Sequence, residues 1–161
     1  MSNNLCYIVI VFYDSLDLTI KCIESILKSK DKRYKIIIVN NGSKKRNLLS
    51  LENYLKKTSL NESVCLLLST GNYGYGHGVN LGIKFSLNSN NCKYLWILNN
   101  DIKIDKYCLS TLIDSSDNNS IISPVIYDYY NKKSIQSMGG LLNPYMLTTE
   151  HSLVDNESID Y

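Results

Sequence analysis

The chain is poor in the residues that usually announce chemistry. Of 161 residues only two are histidine, His77 and His151, which argues against a histidine-rich metal site. The five cysteines (Cys6, Cys22, Cys65, Cys92 and Cys108) form no Cys-x-x-Cys pair and are odd in number, so neither a disulfide framework nor a zinc site is expected. Most lie among apolar neighbours, where a free thiol behaves as a small hydrophobe, and this usage suits a reducing, cytoplasmic compartment. The formal net charge of +2 supplies no broad basic field, and the thirteen tyrosines are scattered, so nucleic acid is not an expected partner. No apolar run reaches the roughly 18 residues of a membrane span, and Leu5 to Phe12 lacks the basic flank and cleavage site of a signal peptide. Three nucleotide and nucleophile signatures are also missing. Gly74, Gly76 and Gly78 do not fit G-x-G-x-x-G, no Gly-Lys-Ser/Thr follows them, and there is no Gly-x-Ser-x-Gly elbow.

What is present describes one α/β domain. With 44% apolar and 20% charged residues, a chain of this length can bury a sizeable core. The stretch Tyr94 to Asp105 organises the rest: Tyr94-Leu95-Trp96-Ile97-Leu98 reads as a strand buried on both faces, and polarity then flips to Asn99-Asn100-Asp101. Leu5 to Phe12, Tyr34 to Val39 and Val64 to Leu68 read as earlier strands, and Ile121 to Tyr127 and Ser134 to Met138 as later ones. Between them, Leu16, Ile20, Ile23 and Leu27 recur at helical spacing behind an Asp14 or Ser15 N-cap. Leu48, Leu51 and Leu55 mark a second helix, and Val79, Ile83 and Leu87 one face of a third. A fourth spans about Lys106 to Ser115, with Asp105 as its cap. Strand–helix alternation predicts a mostly parallel sheet with helices on both faces, over residues 1–142, followed by a polar tail over 143–161.

Parallel strands carry their carboxyl ends to one edge, where open α/β sheets hold ligands. Three polar strand ends converge there: Tyr13-Asp14, Asn40 to Ser43, and Asn99 to Asp101. Asn72 to Gly78 is a glycine loop leading into a helix N-terminus, able to cradle a phosphate or to be a plain surface loop. Tyr13 can stack on a nucleobase or pack at its strand end, and Asn40 and Asn41 can read base or ribose edges or shape an Asx-turn. Asp101 can hold a hard divalent cation once a diphosphate supplies further oxygens, or serve as a turn residue.

In order, strand–YD, strand–VNNGS, NYGYGHGVNLGI and LWILNNDI resemble family 2 glycosyltransferases of the GT-A fold, over about residues 5–140. The likeness is to the rhamnosyltransferase-like branch that serves bacterial surface polysaccharide assembly. It implies a Rossmann-like nucleotide-sugar-binding fold, with Tyr13 stacked on the base of a nucleotide-diphosphate sugar. It also implies a donor-binding set of Asp14, Asn40, Asn41, Ser43, Asn72, Gly74, Gly78, Asn80, Asn99 and Asn100. Asn40 stands where the family carries Asp, as does Asn99 in its Asp-x-Asp motif; the last carboxylate, Asp101, is retained as ligand to Mg²⁺ or Mn²⁺. The resemblance implies inverting transfer to a glycan or lipid-linked acceptor, in the cytoplasm at the inner face of the membrane, with peripheral association.

The family's acidic acceptor motif has no counterpart after Gly140, since Glu150, Asp155, Glu157 and Asp160 lack its spacing. The catalytic base is therefore unassigned, and the expectation is a truncated, donor-binding half that does not transfer sugar alone. The alternative is a non-catalytic nucleotide-sugar-binding remnant, or a partner of a separately encoded acceptor half. A nucleotidyltransferase is disfavoured because the first strand leads into Tyr-Asp rather than a basic glycine loop.

Overall fold

The computed structural model describes residues 6–60, 63–117, 120–131, 133–143, 145–146 and 148–151. The chain divides between Leu109 and Ser110 into two compact units. In the first, β1 (Cys6–Phe12), α1 (Leu16–Leu27), β2 (Tyr34–Asn40), α2 (Lys45–Lys57), β3 (Val64–Leu68), α3 (Tyr75–Leu87) and β4 (Tyr94–Leu98) alternate as expected. The four strands form one parallel sheet in the order β3-β2-β1-β4, with Val9 registered against Ile37 on one side and Ile97 on the other.

This order follows from the hand of the crossovers. Strands β1, β2 and β3 step in one direction, so right-handed connections put α1 and α2 on one face; the chain then jumps back past β1, which puts α3 on the other. All seven residues of β1 are buried, because it is covered on both faces and paired on both sides. Ile8, Ile10, Phe12, Ile36 and Ile38 are fully enclosed on the face covered by α1 and α2, whose own buried residues include Cys22, Ile23, Ile26, Leu51 and Leu55. Tyr7, Val9, Ile37 and Val39 form the opposite core with Leu81 of α3, Cys65, Leu67 and Cys92.

Two helix–sheet expectations change. The face of α3 against the sheet is Gly78, Gly82 and Ser86, not Val79, Ile83 and Leu87; Leu87 is 63% exposed. A stripe of small residues at four-residue spacing lets the helix backbone approach β1 and β2 closely, and the larger residues are displaced to its flanks. Strand β4 is not buried on both faces either. It pairs only with β1 among the described residues, and Leu95 and Ile97, on the α3 side, are 37% and 38% exposed because α3 lies over β1 and β2.

Helix α4 (Cys108–Ser115) crosses the division. It starts two residues later than expected, and Asp105 does not cap it directly: its carboxylate accepts from the Tyr107 N–H at 2.7 Å, shaping the turn that leads into the helix. The second unit holds two antiparallel hairpins, β5 (Ile126–Tyr127) with β6 (Ile135–Ser137), and β7 (Gly140–Asn143) with β8 (Thr148–His151). Of the expected strand over Ile121 to Tyr127, only the last two residues are paired as a strand. Gly140 opens β7, and residue 143, where the polar tail is expected to begin, lies inside the β7–β8 hairpin. Residues 152–161, with Asp155, Glu157 and Asp160, lie outside the described residues. No helix among the described residues is long and apolar enough to cross a membrane.

Candidate functional site

The sheet reverses its winding between β1 and β4, and ligands of open α/β sheets sit in the crevice outside the carboxyl ends at such a point. Tyr13 follows β1 and is 49% exposed there; Asn99-Asn100-Asp101 follows β4, with Asn99 and Asp101 exposed.

The segment after β4 is fastened to α1 by three small side chains that sequence reading passed over. The Asn100 Nδ2 donates to Thr19 Oγ1 at 3.0 Å, the Cys22 thiol to the Asn99 carbonyl at 3.6 Å, and the Ile104 N–H to Ser25 Oγ at 3.2 Å. Thr19, Cys22 and Ser25 recur every three residues and are all buried. The available signal was two hydroxyls and a thiol on the face of α1 that also carries Ile23 and Ile26. Burial, with the negative charge of Asp101 adding to it, pushes the Cys22 thiol up to about 12, so it stays a neutral donor.

On the other side, Tyr75 at the start of α3 donates its phenol hydrogen to Asn99 Oδ1 at 2.8 Å, tying the glycine loop to the end of β4. Burial raises the Tyr75 pKa above the ordinary phenol value, and Asp101 raises it further. Tyr75 was not among the expected site residues; it lay unremarked inside the glycine motif.

The β2 end is built inward. Asn40 is buried, and its Oδ1 accepts from the Ser43 N–H at 3.2 Å, three residues on, so it shapes its own turn with a bond one residue longer than an Asx-turn. Asn41 is also buried; its Nδ2 donates to Asn72 Oδ1 and to the Gly74 carbonyl, both at 3.1 Å. Its own Oδ1 is buried with no hydrogen-bond partner among the described residues. Asn72 Oδ1 also accepts from the Gly74 N–H at 3.0 Å, closing the loop on itself. Gly74, at φ +89, precedes the first turn of α3, a conformation that disfavours any side chain. Gly78 lies so close to Val11 that a Cβ would meet its Cγ1 at 2.9 Å, while Asn80 is exposed further along α3.

Asp14 faces α2 rather than α1. Its φ is +57, and its Oδ1 accepts from the Lys44 N–H at 2.8 Å and Asn47 Nδ2 at 2.9 Å, with Lys44 Nζ at 3.9 Å from Oδ2. These bonds, the Lys44 amide first, hold its carboxyl below the usual carboxylate range. Ser15 is the N-cap of α1, without a side-chain cap bond. Ser43 completes the knot, its Oγ accepting from the Asp14 N–H at 3.1 Å and donating to the Phe12 carbonyl at 3.3 Å. Thus Asp14, Asn40, Asn41 and Ser43 brace the loops, while Tyr13, Asn99 and Asp101 face outward.

No cluster of three or more histidine, cysteine, aspartate or glutamate side chains forms a metal cage among the described residues. Asp101 is nonetheless an exposed carboxylate at the switch point, suited to a hard cation that takes one protein ligand and completes its shell with diphosphate oxygens and water.

The model of glycosyl transferase family 2 matches residues 7–160. A hexosyltransferase of low-salt glycan biosynthesis, Agl10 of Haloferax volcanii, is 38% identical over 74 residues, which are 45% of this chain and 24% of that protein. Among solved structures, S. aureus TarS (residues 1–349) superposes with a TM-score of 0.56 at 17% identity, covering 68% of this chain and 31% of the other. TarS has also been solved with UDP-GlcNAc. A mannosyltransferase from Pyrobaculum calidifontis, in complex with GDP-Man and Mn²⁺, gives 0.55 at 13% identity, covering 67% and 31%. The chain thus spans about a quarter of the curated relative and about a third of these structures. The four-stranded parallel sheet with helices on both faces is the fold expected from the sequence, and the family match rests on nearly the whole chain: it belongs to glycosyl transferase family 2.

Proposed function

We propose that the chain is the donor-binding portion of a glycosyltransferase that moves a sugar from a nucleotide-diphosphate sugar to a glycan or lipid-linked acceptor in surface polysaccharide assembly. One observation supports the reading: the Asn99–Asp101 segment at the switch-point edge is bonded to Tyr75 at the start of α3 and to Thr19 of α1, and Tyr13 ends the neighbouring strand, exposed. In this reading the base stacks on Tyr13, whose ring offers a π-face to any nucleobase. The diphosphate lies between Asp101 and the first turn of α3, where free backbone N–H groups favour an anion.

During transfer the acceptor hydroxyl oxygen bonds to the anomeric carbon while the bond from that carbon to the diphosphate oxygen breaks. The leaving diphosphate keeps the electron pair. By the family resemblance the transfer inverts the anomeric centre, and the hydroxyl proton passes to a base in the acceptor-binding portion. Asp101 would hold a Mg²⁺ or Mn²⁺ ion, which supplies countercharge to the leaving group. The loop bonds of Asn40, Asn41 and Asp14 keep this edge preorganised.

The test is calorimetric titration of the folded chain with UDP-, dTDP- and GDP-sugars in Mg²⁺ or Mn²⁺. Saturable binding of at least one is expected, with Asp101→Asn losing the divalent-ion dependence. Absence of binding by all of them to folded protein would overturn the reading. Equal ion dependence in wild type and Asp101→Asn would remove Asp101 from the metal site.

A further inference from the structure

The hydrogen bond from Tyr75 to Asn99 fixes more than the loop. A carboxamide has one acceptor end and one donor end, and which end meets a ligand depends on what holds the other. The Tyr75 phenol donates to Asn99 Oδ1 at 2.8 Å. Asn99 is exposed, and its Nδ2 has no hydrogen-bond partner among the described residues. Its backbone is fixed independently, since its carbonyl accepts from Cys22 and the next residue is held by Thr19. Turning the side chain over would exchange the phenol O–H···O bond for a weaker N–H···O bond to the phenol oxygen, because a phenol donates better than it accepts.

We propose that Tyr75 is a positioning residue that sets the polarity of Asn99, so that Asn99 Nδ2 donates to an acceptor oxygen of the bound donor, on its diphosphate or ribose. An aspartate at this position could only accept. The difference also changes the charge of the site. Asn99 leaves Asp101 as the one carboxylate of the Asn99–Asp101 segment, so a diphosphate meets a neutral donor beside it instead of a second negative charge. This inference rests on the nucleotide-sugar reading above.

The experiment uses the full chain and the nucleoside diphosphate of whichever sugar donor binds wild type. Binding is measured by calorimetry with Mg²⁺ and again in EDTA, for wild type, Tyr75→Phe, Asn99→Asp, Asn99→Ala and the Tyr75→Phe/Asn99→Ala double variant. Both partners are half-exposed or exposed, so none of these changes leaves a buried polar group unpaired. Tyr75→Phe and Asn99→Ala should each weaken binding by about 2- to 10-fold, the worth of one hydrogen bond. The double variant should be no weaker than the worse single variant. Asn99→Asp should weaken binding in EDTA by at least as much as Asn99→Ala, because it removes the donor and adds a charge.

In ¹⁵N spectra, the Asn99 side-chain NH₂ pair should shift on ligand addition in wild type, and should already be displaced in free Tyr75→Phe. A merely structural tyrosine would leave the ligand-induced shift of that signal the same in Tyr75→Phe as in wild type; a positioning tyrosine would reduce it. Tighter or unchanged binding by Asn99→Asp in EDTA, or additive single effects, would overturn the inference while leaving the nucleotide-sugar reading intact. Failure of every nucleotide sugar to bind wild type would instead overturn that reading, and this inference with it.

Discussion

Replacing Gly82 with alanine probes the close approach of α3 to the sheet. A Cβ at Gly82 would lie well inside 3.0 Å of Val9 Cγ1, with Val9 Cγ2 at 3.2 Å and Val39 Cγ2 at 3.3 Å. Rotating Val9 exchanges one methyl for the other, and Val9 is wholly enclosed in the central strand. The helix must therefore retreat, by about an ångström if carbon contacts are to return to their ~3.5–4.0 Å optimum. Overpacking of this kind costs about 1–3 kcal/mol, against ~0.8–1.0 kcal/mol gained by alanine over glycine within a helix. Gly76 in the same helix is the control, because a Cβ there has nothing within 4 Å. The propensity gain is shared by Gly76→Ala and largely cancels between the two variants. Gly82→Ala should thus be less stable than Gly76→Ala by about 1–3 kcal/mol. Urea unfolding followed by circular dichroism, with m unchanged so that midpoints compare directly, measures the difference. Because the retreat also carries Gly78 away from Val11 and Asn41, donor binding should weaken in Gly82→Ala. If Gly82→Ala proves as stable as Gly76→Ala, the close approach does not decide the fit of α3.

Gly42→Ala combines a left-handed backbone (φ +78) with a Cβ 2.5 Å from the Asn72 N and 2.7 Å from the Gly71 C. It should displace the glycine loop, read as loss of donor binding and broadened loop amide signals; an unchanged affinity would show that the loop is not part of the site. Since the Asp14 carboxyl is held low, it favours the folded state above its unfolded pKa, and that stability goes as pH falls through its folded value. Asp14→Asn should therefore be less stable than wild type at pH 7, with the gap closing in acid; a gap independent of pH would refute the role given to the carboxylate. Cys6 and Cys22 are both pushed up to about 12 by burial, so stability should decline as pH rises above about 9, where unfolded thiols ionise. Iodoacetamide at pH 8 should label them only after denaturation, which peptide mass mapping would report; labelling in the folded state would contradict their burial.

Much of the fold could be read from local patterns. The strands over 6–12, 34–40, 64–68 and 94–98 and the helices between them follow from continuous apolar runs and helical spacing bounded by turn residues, signals that lie within a few positions of one another. Parallel pairing and the edge where the strand ends gather follow from that alternation. Family membership rested on the joint order of short motifs, which also marked Tyr13 and Asp101. Tertiary structure decided which groups remain available at that edge, because a side chain's partner comes from a distant segment. The sequence could not show that Asn40 Oδ1 accepts from its own turn or that Asn41 Nδ2 holds a loop 31 residues away. Asp14 went to α2 because its left-handed backbone aims the carboxylate across the Lys44 turn. Thr19, Cys22, Ser25 and Tyr75 gained their roles only when α1, α3 and the end of β4 came together. The glycine stripe of α3 displaced the expected apolar face for the same reason, since periodicity records which residues are apolar but not how close two backbones must come. Likewise, the exposed side of β4 was invisible in an all-apolar run, because exposure there depends on where α3 lies across the sheet.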